Sequence, residues 1–415
     1  MISKLSFLKF VFKLLSLTLL FCSLSIPTQA NESKQLEHEI KQLIHNGSVL
    51  IHNEKGQTIF SYQANKPFIP ASIVKILSAQ IAINKLGINY RFKTEFYADH
   101  HHNLLIKGYG DPFLISEEIE KIVKNLAQSG VRYINQIYLD HSSFEPNITI
   151  PGTSNSTNPY DALVGALVVN FNTINIQRLK SGEIKSAEKE TPLTPLAAKK
   201  GESIKTGSTG RISLTQDYYE SLQYVGELFQ FFLKKQGIKI SESRITIQSV
   251  SESWNLKYRH YNSHDLDYIL TGLLKYSNNY IANQIFLTAG GEKSGFPANL
   301  AKSESAFQEY VQKTYQFDEN IFKFKEASGL SRDNLMTANM MMQVLESFKS
   351  HHHLLTEKKG VLVKSGTLTG IYNYAGYFKT SRGLFPFTIL LNQKKNYRDR
   401  ILKLIHSYLA IKLSH

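Results

Sequence analysis

Ile69-Pro70-Ala71-Ser72-Ile73-Val74-Lys75 is the stretch on which the reading of this chain turns. Pro67 to Ala71 form a short loop, the spacing predicts a helix over 72–86, and Gly87 ends it. Three positions apart on a helix, the Ser72 hydroxyl and the Lys75 amine share one face, one turn apart. The positive end of the helix dipole disfavours a protonated amine there and favours developing negative charge. A lysine relieved of its proton can take one from serine and turn a weak nucleophile into a usable one. Taken alone, a capping serine beside a solvated lysine explains the same four residues.

Two later elements change that balance. Ser277-Asn278-Asn279 opens a predicted helix, and Lys364-Ser365-Gly366-Thr367 lies on a predicted strand. A second hydroxyl, Ser277, and an amide, Asn279, can pass and orient a proton beside Lys75, and Ser277 is the next candidate for the base. A strand carrying Lys364 can dock an extended peptide and neutralise its terminal carboxylate, with Gly366 allowing close backbone approach. In this order the three elements resemble the Ser-x-x-Lys, Ser-Asp-Asn and Lys-Thr-Gly signature of penicillin-binding proteins and class A β-lactamases, with Asn278 and Ser365 as departures. Two decoys exist. Lys205-Thr206-Gly207 spells the third element more literally, but it precedes Ser277 in a Gly/Ser-rich stretch that reads as a loop. Tyr276-Ser277-Asn278 also spells Tyr-x-Asn, the variant of class C β-lactamases and esterases.

Around these elements the chain divides by texture. An amphipathic helix is expected over 33–45, a hairpin over 48–62 with its turn at Asn53 to Gly56, and then the helix carrying Lys75. Residues 91–250 read as a strand-rich insert with one helix at 116–128 and a Pro/Asn/Ser loop at 145–159. Helices return at 263–275, 277–289 and 303–315, and 361–367, 370–379 and 383–392 alternate like a sheet. The expected organisation is therefore 1–30 as leader, 31–90 and 251–415 as two parts of one domain, and 91–250 inserted between them. Ile401, Leu404, Ile405, Tyr408 and Leu409 give the last helix one apolar face. That face is read as core-covering, although Arg398, Arg400 and Lys403 also suit peripheral association with a membrane surface.

Lys4, Lys9 and Lys13 precede an uncharged run from Leu14 to Ile26, and Thr28-Gln29-Ala30 offers small residues for cleavage, the pattern of a signal peptide. The expectation is an exported, periplasmic protein. Cys22, the single cysteine, lies in that leader, so disulfides, thiol nucleophiles and cysteine metal sites are excluded from the mature chain. Removing the three lysines takes the net charge from +14 to +11, which suits an anionic wall polymer or lipid head groups. No compact basic run with interleaved aromatics points to nucleic acid. His100-His101-His102 and His351-His352-His353 are consecutive and read as surface histidines. His260 and His264 have helical metal-pair spacing, but a helix start at Asn262-Ser263 separates them, so neither a metal nor another cofactor is expected.

The chain resembles the D-alanyl-D-alanine carboxypeptidase/endopeptidases, the class C low-molecular-mass penicillin-binding proteins. The likeness rests on 69–75, Lys107-Gly108-Tyr109-Gly110-Asp111-Pro112, Ser277 to Asn279, Ser328-Gly329-Leu330-Ser331-Arg332-Asp333-Asn334, and Lys364 to Leu368. The second and fourth pieces favour the register with Ser277 and Asn279 over the Tyr276 one. The resemblance implies an α/β (α+β) fold: a penicillin-binding transpeptidase-like (β-lactamase-like) domain, its antiparallel sheet flanked by helices, carrying a strand-rich inserted domain. It implies an acyl-enzyme at Ser72, Lys75 as base, an oxyanion cradle between the N–H groups of Ser72 and Thr367, and substrate contacts from Lys364, Ser365, Gly366 and Thr367. The implied partners are peptidoglycan stem peptides, with β-lactams as covalent inhibitors. Asp140, four residues before Phe144, fits the family's contact to the peptide's free amino end, and a strand-end turn fits it equally. The insert is shorter than in the larger members, which implies one subdomain fewer. A serine β-lactamase and a non-catalytic wall-binding or β-lactam-sensing protein remain the alternatives.

Overall fold

The computed structural model describes residues 29–413, so the leader expected over 1–30 lies almost wholly outside the described residues. Helices α1 (Gln29–Leu43) and α10 (Arg398–Leu413) form a compact unit of their own, and residues 47–396 form the second. In the first unit the two helices pack together, with Leu36, Ile40 and Leu43 of α1 and Ile401, Ile405, Tyr408 and Leu409 of α10 buried. No helix among the described residues is long and apolar enough to cross a membrane.

The larger unit is built on a six-stranded antiparallel sheet in the order β13-β14-β15-β16-β1-β2. Its strands are β1 (Gly47–His52), β2 (Thr58–Tyr62), β13 (Thr356–Lys358), β14 (Val361–Leu368), β15 (Ile371–Thr380) and β16 (Gly383–Leu391). The strand first in sequence pairs with the last, Gly47 opposite Leu391 and Ile51 opposite Phe387, so residues nearly the whole unit apart are locked in register. Against it lies α2 (Lys75–Leu86), in which Ile76, Leu77, Ala79, Ile81 and Ala82 are all buried. These residues pack α2 against α7 (Asn279–Ser294) and α9 (Ala338–Phe348) in the interior.

The region from 91 onward builds a second core. Its sheet runs β11-β6-β4-β3-β12, from β3 (Lys93–Ala98), β4 (Leu104–Gly108), β6 (Ile137–Asp140), β11 (Ile245–Ile247) and β12 (Asn255–Tyr261). The edge strand β12 lies beyond residue 250, where the texture of the sequence changes, and pairs antiparallel with β3. Helices α3 (Ser116–Gln128) and α5 (Tyr218–Lys235) cover this sheet, with α4 (Pro195–Gly201) beside them. A separate three-stranded sheet, β8-β7-β9, comprises β7 (Thr173–Arg178), β8 (Ile184–Ser186) and β9 (Ser208–Ser213), and a two-stranded one joins β5 (Tyr133–Ile134) to β10 (Lys239–Ile240). The 18-residue α5 falls where strand-like pieces were expected. Its aromatic-rich sequence favours strand, yet Leu222, Val225, Phe229 and Phe232 are buried on one helical face and Asp217 caps its start.

Residues 262–265 lead from β12 into helix α6 (Leu266–Tyr276), whose cap is Asp265. Asn262 serves another purpose: its Nδ2 donates to both oxygens of the buried Asp111, at 3.1 and 2.9 Å. Burial pushes the Asp111 carboxyl up to about 6, against the pull of Asn262 and of the Phe113 N–H. Nearby, burial also works against the Glu118 carboxylate, but bonds from His260, Lys121 and Ser263 hold it below the usual range. The two groups act in opposite senses. Asp111 takes up its proton more readily folded than unfolded, so its contribution is full below about 4 and is lost as pH rises through about 6. Glu118 contributes above its unfolded value of about 4.3 and loses that contribution as pH falls below it. We expect Asp111 by itself to add about 1 kcal/mol between pH 7 and 5, out of a full span of about 3, a rise that partly buried histidines such as His52 and His141 oppose. Asp111→Asn should flatten that rise in a thermal-melt series, and an unchanged slope would refute the assignment.

Candidate active site

Ser72 does not stand in the first turn of the α-helix. It sits in a 3-10 turn, Ala71–Val74, that precedes α2, and no side chain caps that turn. In such a turn residues three apart eclipse one another, which suits a serine and lysine that must meet. Lys75 Nζ lies 2.9 Å from Ser72 Oγ. Ala71 enters the turn at φ +46°, a left-handed conformation that costs a non-glycine residue about 1 kcal/mol or more.

The Lys75 side chain has no exposed surface. Besides Ser72, its amine donates to Asn279 Oδ1 at 2.8 Å and to the Ser328 carbonyl at 2.5 Å. Asn279 is fixed in this orientation because its Nδ2 donates to the Tyr160 carbonyl at 3.3 Å. Two of the three partners are oxygens that only accept, and the third is a hydroxyl able to donate. A neutral amine can therefore give two N–H bonds and point its lone pair at Ser72. Burial drives the Lys75 pKa well down, the nearby Lys364 ammonium drives it further, and Glu326 opposes both.

Ser277 and Asn279 come to the site through a tight helix–helix junction. Ser277 ends α6 in the left-handed conformation at φ 57°, and Asn278 caps α7 by accepting from Ile281 N at 3.0 Å. The departure at Asn278 thus performs a capping task that asparagine and aspartate share. Lys364, nearly sealed from solvent on β14, donates to Ser277 Oγ at 2.8 Å and to the Ser365 carbonyl at 2.9 Å. Strand β13 pairs with β14 only as far as Val363, so Lys364 to Leu368 run on past it. Gly366 decides how near β14 comes to the serine. A Cβ there would stand 2.7 Å from the Pro70 carbonyl and 3.1 Å from Ser72 N. Such an approach is what an oxyanion cradle made from the N–H groups of Ser72 and Thr367 requires. The decoy Lys205-Thr206-Gly207 is the turn before β9, where the Lys205 carbonyl accepts from Ser208 N.

The family model described as D-Ala-D-Ala carboxypeptidase 3 (S13) matches residues 33–210 and 207–357. Two curated relatives are a D-alanyl-D-alanine carboxypeptidase of Actinomadura sp., 23% identical over 81% of this chain and 76% of its own, and the D-alanyl-D-alanine carboxypeptidase DacB of Haemophilus influenzae, 23% identical over 88% and 89%. The crystal structure of penicillin binding protein 4 (dacB) from Haemophilus influenzae superposes with a TM-score of 0.71 at 20% identity, covering 86% of this chain and 93% of that one. A further structure of that protein is complexed with a β-lactam. This chain belongs to the D-Ala-D-Ala carboxypeptidase 3 (S13) family.

Within this S13 chain, Asp140 makes no hydrogen bond to Ser72, Lys75, Ser277, Asn279 or Lys364 among the described residues. Asp140 ends β6 with its side chain fully buried. Oδ1 accepts from Ser142 N, Oδ2 from Val250 N, and Lys107 Nζ lies 3.2 Å away. These contacts suit the strand-end turn that the sequence also allowed, and they leave part of the carboxylate's acceptor capacity unused. Phe144 is likewise buried in the core.

Sequence reasoning missed Glu326. Its carboxylate is completely buried and accepts from Ser328 N at 2.7 Å, Ser328 Oγ at 2.5 Å, Ser331 N at 3.2 Å, Asn334 Nδ2 at 2.9 Å and Asn283 Nδ2 at 3.2 Å. It thereby folds the Ser328 to Asn334 loop around itself and aims the Ser328 carbonyl at Lys75. Gly329 then packs so closely that a Cβ would lie 2.0 Å from the Ala71 carbonyl. Ser78, one turn beyond Lys75, donates to the Ala327 carbonyl at 2.7 Å and ties the same loop to α2. The available signal was an acid two residues before the Ser-Gly-Leu-Ser stretch. Glu326 is a positioning residue whose charge also raises the Lys75 proton affinity, against burial and Lys364. Glu326→Gln should slow acylation by about tenfold or more, since it leaves buried donors short of an acceptor. It should also shift the acidic limb of the acylation–pH profile downward, because the charge that raises the Lys75 pKa is gone. A folded variant whose acidic limb does not move would leave Glu326 with a structural part only.

Proposed function

We propose that this chain is an exported serine D-Ala-D-Ala carboxypeptidase, able also to act as a DD-endopeptidase, that hydrolyses peptidoglycan stem peptides through an acyl-enzyme at Ser72. The observation that carries the reading is the buried Lys75 amine, 2.9 Å from Ser72 Oγ and fixed by Asn279 and Ser328. The peptide docks along β14 with its terminal carboxylate at Lys364. Ser72 Oγ attacks the carbonyl of the penultimate D-alanine as Lys75 takes its proton. The oxyanion falls between the N–H groups of Ser72 and Thr367. The leaving amine recovers a proton by way of Lys75 or Ser277, and water then releases the acyl group. General-base assistance of this kind is worth roughly 10²–10⁴ in rate.

β-Lactams enter the same reading as covalent inhibitors, supported by family membership and by the β-lactam complex of the Haemophilus influenzae relative. Residues 1–30 act as a cleaved export signal that delivers the protein to the periplasm, where a mature net charge of +11 (+14 less three leader lysines) draws it to anionic wall polymer.

Treatment with a fluorescent penicillin should give a stable one-to-one adduct, found by mass spectrometry on the peptide containing Ser72 and absent from Ser72→Ala. Rapid turnover of the penicillin or an adduct elsewhere would overturn the reading. Between the two lysine candidates, Lys364→Ala should lose about one to two decades of acylation efficiency on D-Ala-D-Ala peptides, the worth of one charge-assisted contact. The loss should be smaller on an amide lacking the carboxylate, and Lys205→Ala should act like wild type on both. The reverse pattern would move the carboxylate site to the turn before β9.

A further inference from the structure

A groove of about 580 Å³ lies beside the catalytic cluster, between α6 and the sheet β8-β7-β9. Phe113, Phe171, Tyr268 and Ile281 supply its apolar walls, and Arg211 and Lys275 are its two cations. The aromatic wall is braced, with Phe113 edge-on to Phe171 at 5.5 Å and to Tyr268 at 5.8 Å between ring centroids. No carboxylate is among its lining residues. Arg211 pairs with Glu188 and donates to Thr173 Oγ1. Lys275 has no carboxylate partner among the described residues; its ammonium rests 5.2 Å from the ring centroid of Tyr276, a side chain 73% exposed.

The position of this groove says which part of a substrate would enter it. Tyr276 and Asn278 both line it, and Ser277 between them accepts from Lys364. The groove therefore begins where the carboxylate beside the scissile bond is held, on the leaving-group side. In a carboxypeptidase turnover the leaving group is a single D-alanine, which ends at that carboxylate and has nothing to place beyond it. In a cross-linked wall peptide the leaving amine belongs to a longer arm, an aliphatic side chain followed by a peptide with free carboxylates. Apolar walls with cations at hand match that order of chemistry.

We propose that this groove binds the leaving-group arm of a D,D-cross-linked peptide, its aliphatic part against Phe113, Phe171 and Tyr268 and its acidic part at Lys275 and Arg211. The inference rests on the peptidase reading above and assigns a leaving-group subsite to its endopeptidase half.

The test compares a monomeric peptide ending in D-Ala-D-Ala with a D,D-cross-linked dimer, using the full chain and two variants. Gly272 lines the groove from α6, and no atom lies within 4 Å of the position a Cβ would take there, so Gly272→Trp fills the groove without a clash at its root. Lys275→Glu reverses the unpaired charge. Each variant should lose about tenfold in kcat/KM on the dimer, chiefly through KM, since one contact or the room for it is removed. Cleavage of the monomer and acylation by labelled penicillin should be unchanged, which also shows that the variants are folded. Equal losses on monomer and dimer, or no loss on the dimer, would overturn the proposal. A wild type that cleaves the monomer but not the dimer also overturns it and leaves the carboxypeptidase reading standing. Failure on both substrates, with no penicillin adduct, removes the peptidase reading itself.

Discussion

A lysine amine sealed from water has to find its partners inside the protein, and Lys75 finds an amide oxygen, a backbone carbonyl and a hydroxyl. Each partner is set by a different part of the chain. The amide belongs to the first residue of α7, the carbonyl to the loop after α8 (Leu300–Tyr315), and the hydroxyl to the turn before α2. Because a buried amine is costly unless its hydrogen bonds are made, these three segments are tied to one another through a single atom. Asn283 repeats the tie one turn along α7, accepting from Ala327 N at 2.9 Å and donating to Glu326. Removing any one partner leaves the others facing a group they can no longer satisfy.

The same site depends on backbone approaching backbone. Asn373, opposite Gly366 in the sheet register, donates to the carbonyls of Ile69 and Pro70 at 2.9 and 2.8 Å, and Asn392 accepts from Ile69 N at 2.9 Å. These bonds hold the loop before Ser72 onto β15 and the end of β16, and Gly366 and Gly329 leave the room for it. The left-handed Ala71 is what results when a chain pinned at Ile69 and Pro70 must still deliver Ser72 to Lys75. Strain at one residue is sustained because its neighbours on both sides are over-determined.

What the sequence made legible was mostly what repeats at short range. The helix carrying Lys75, the hairpin at 47–62, the three-strand run after 361 and the junction at Ser277 all show in spacing, caps and turn residues. The order of the three catalytic elements was equally plain. Less visible was whatever depends on partners distant in the chain. Helix α5 looked strand-like because its aromatic residues carry strand propensity, and only burial against the second sheet decides for helix. Strand β12 joins that sheet by pairing with β3 across most of the insert. Glu326 gave little sign, since a lone acid in a loop has many ordinary uses and its five bonds exist only once the loop has closed. Asp140 shows the same dependence on distant partners, because its carboxylate is engaged by Val250 N and Lys107, far away in the chain.

Two buried lysines close enough to repel each other could be expected to compete, yet their surroundings divide the labour. Lys75 is held by two fixed acceptors and a hydroxyl, with Glu326 only at second remove, so burial and the Lys364 charge both push it toward the neutral amine. Lys364 is buried on β14 and donates to Ser277 Oγ and to its neighbour's carbonyl, where the proposed substrate carboxylate would meet it. That arrival has a consequence for the base. A substrate anion beside Lys364 screens the repulsion that had lowered the Lys75 proton affinity, so binding raises the basicity of Lys75 just as Ser72 must give up its proton. On the proposed reading, substrate recognition and nucleophile activation would be coupled through the charge of one residue, Lys364.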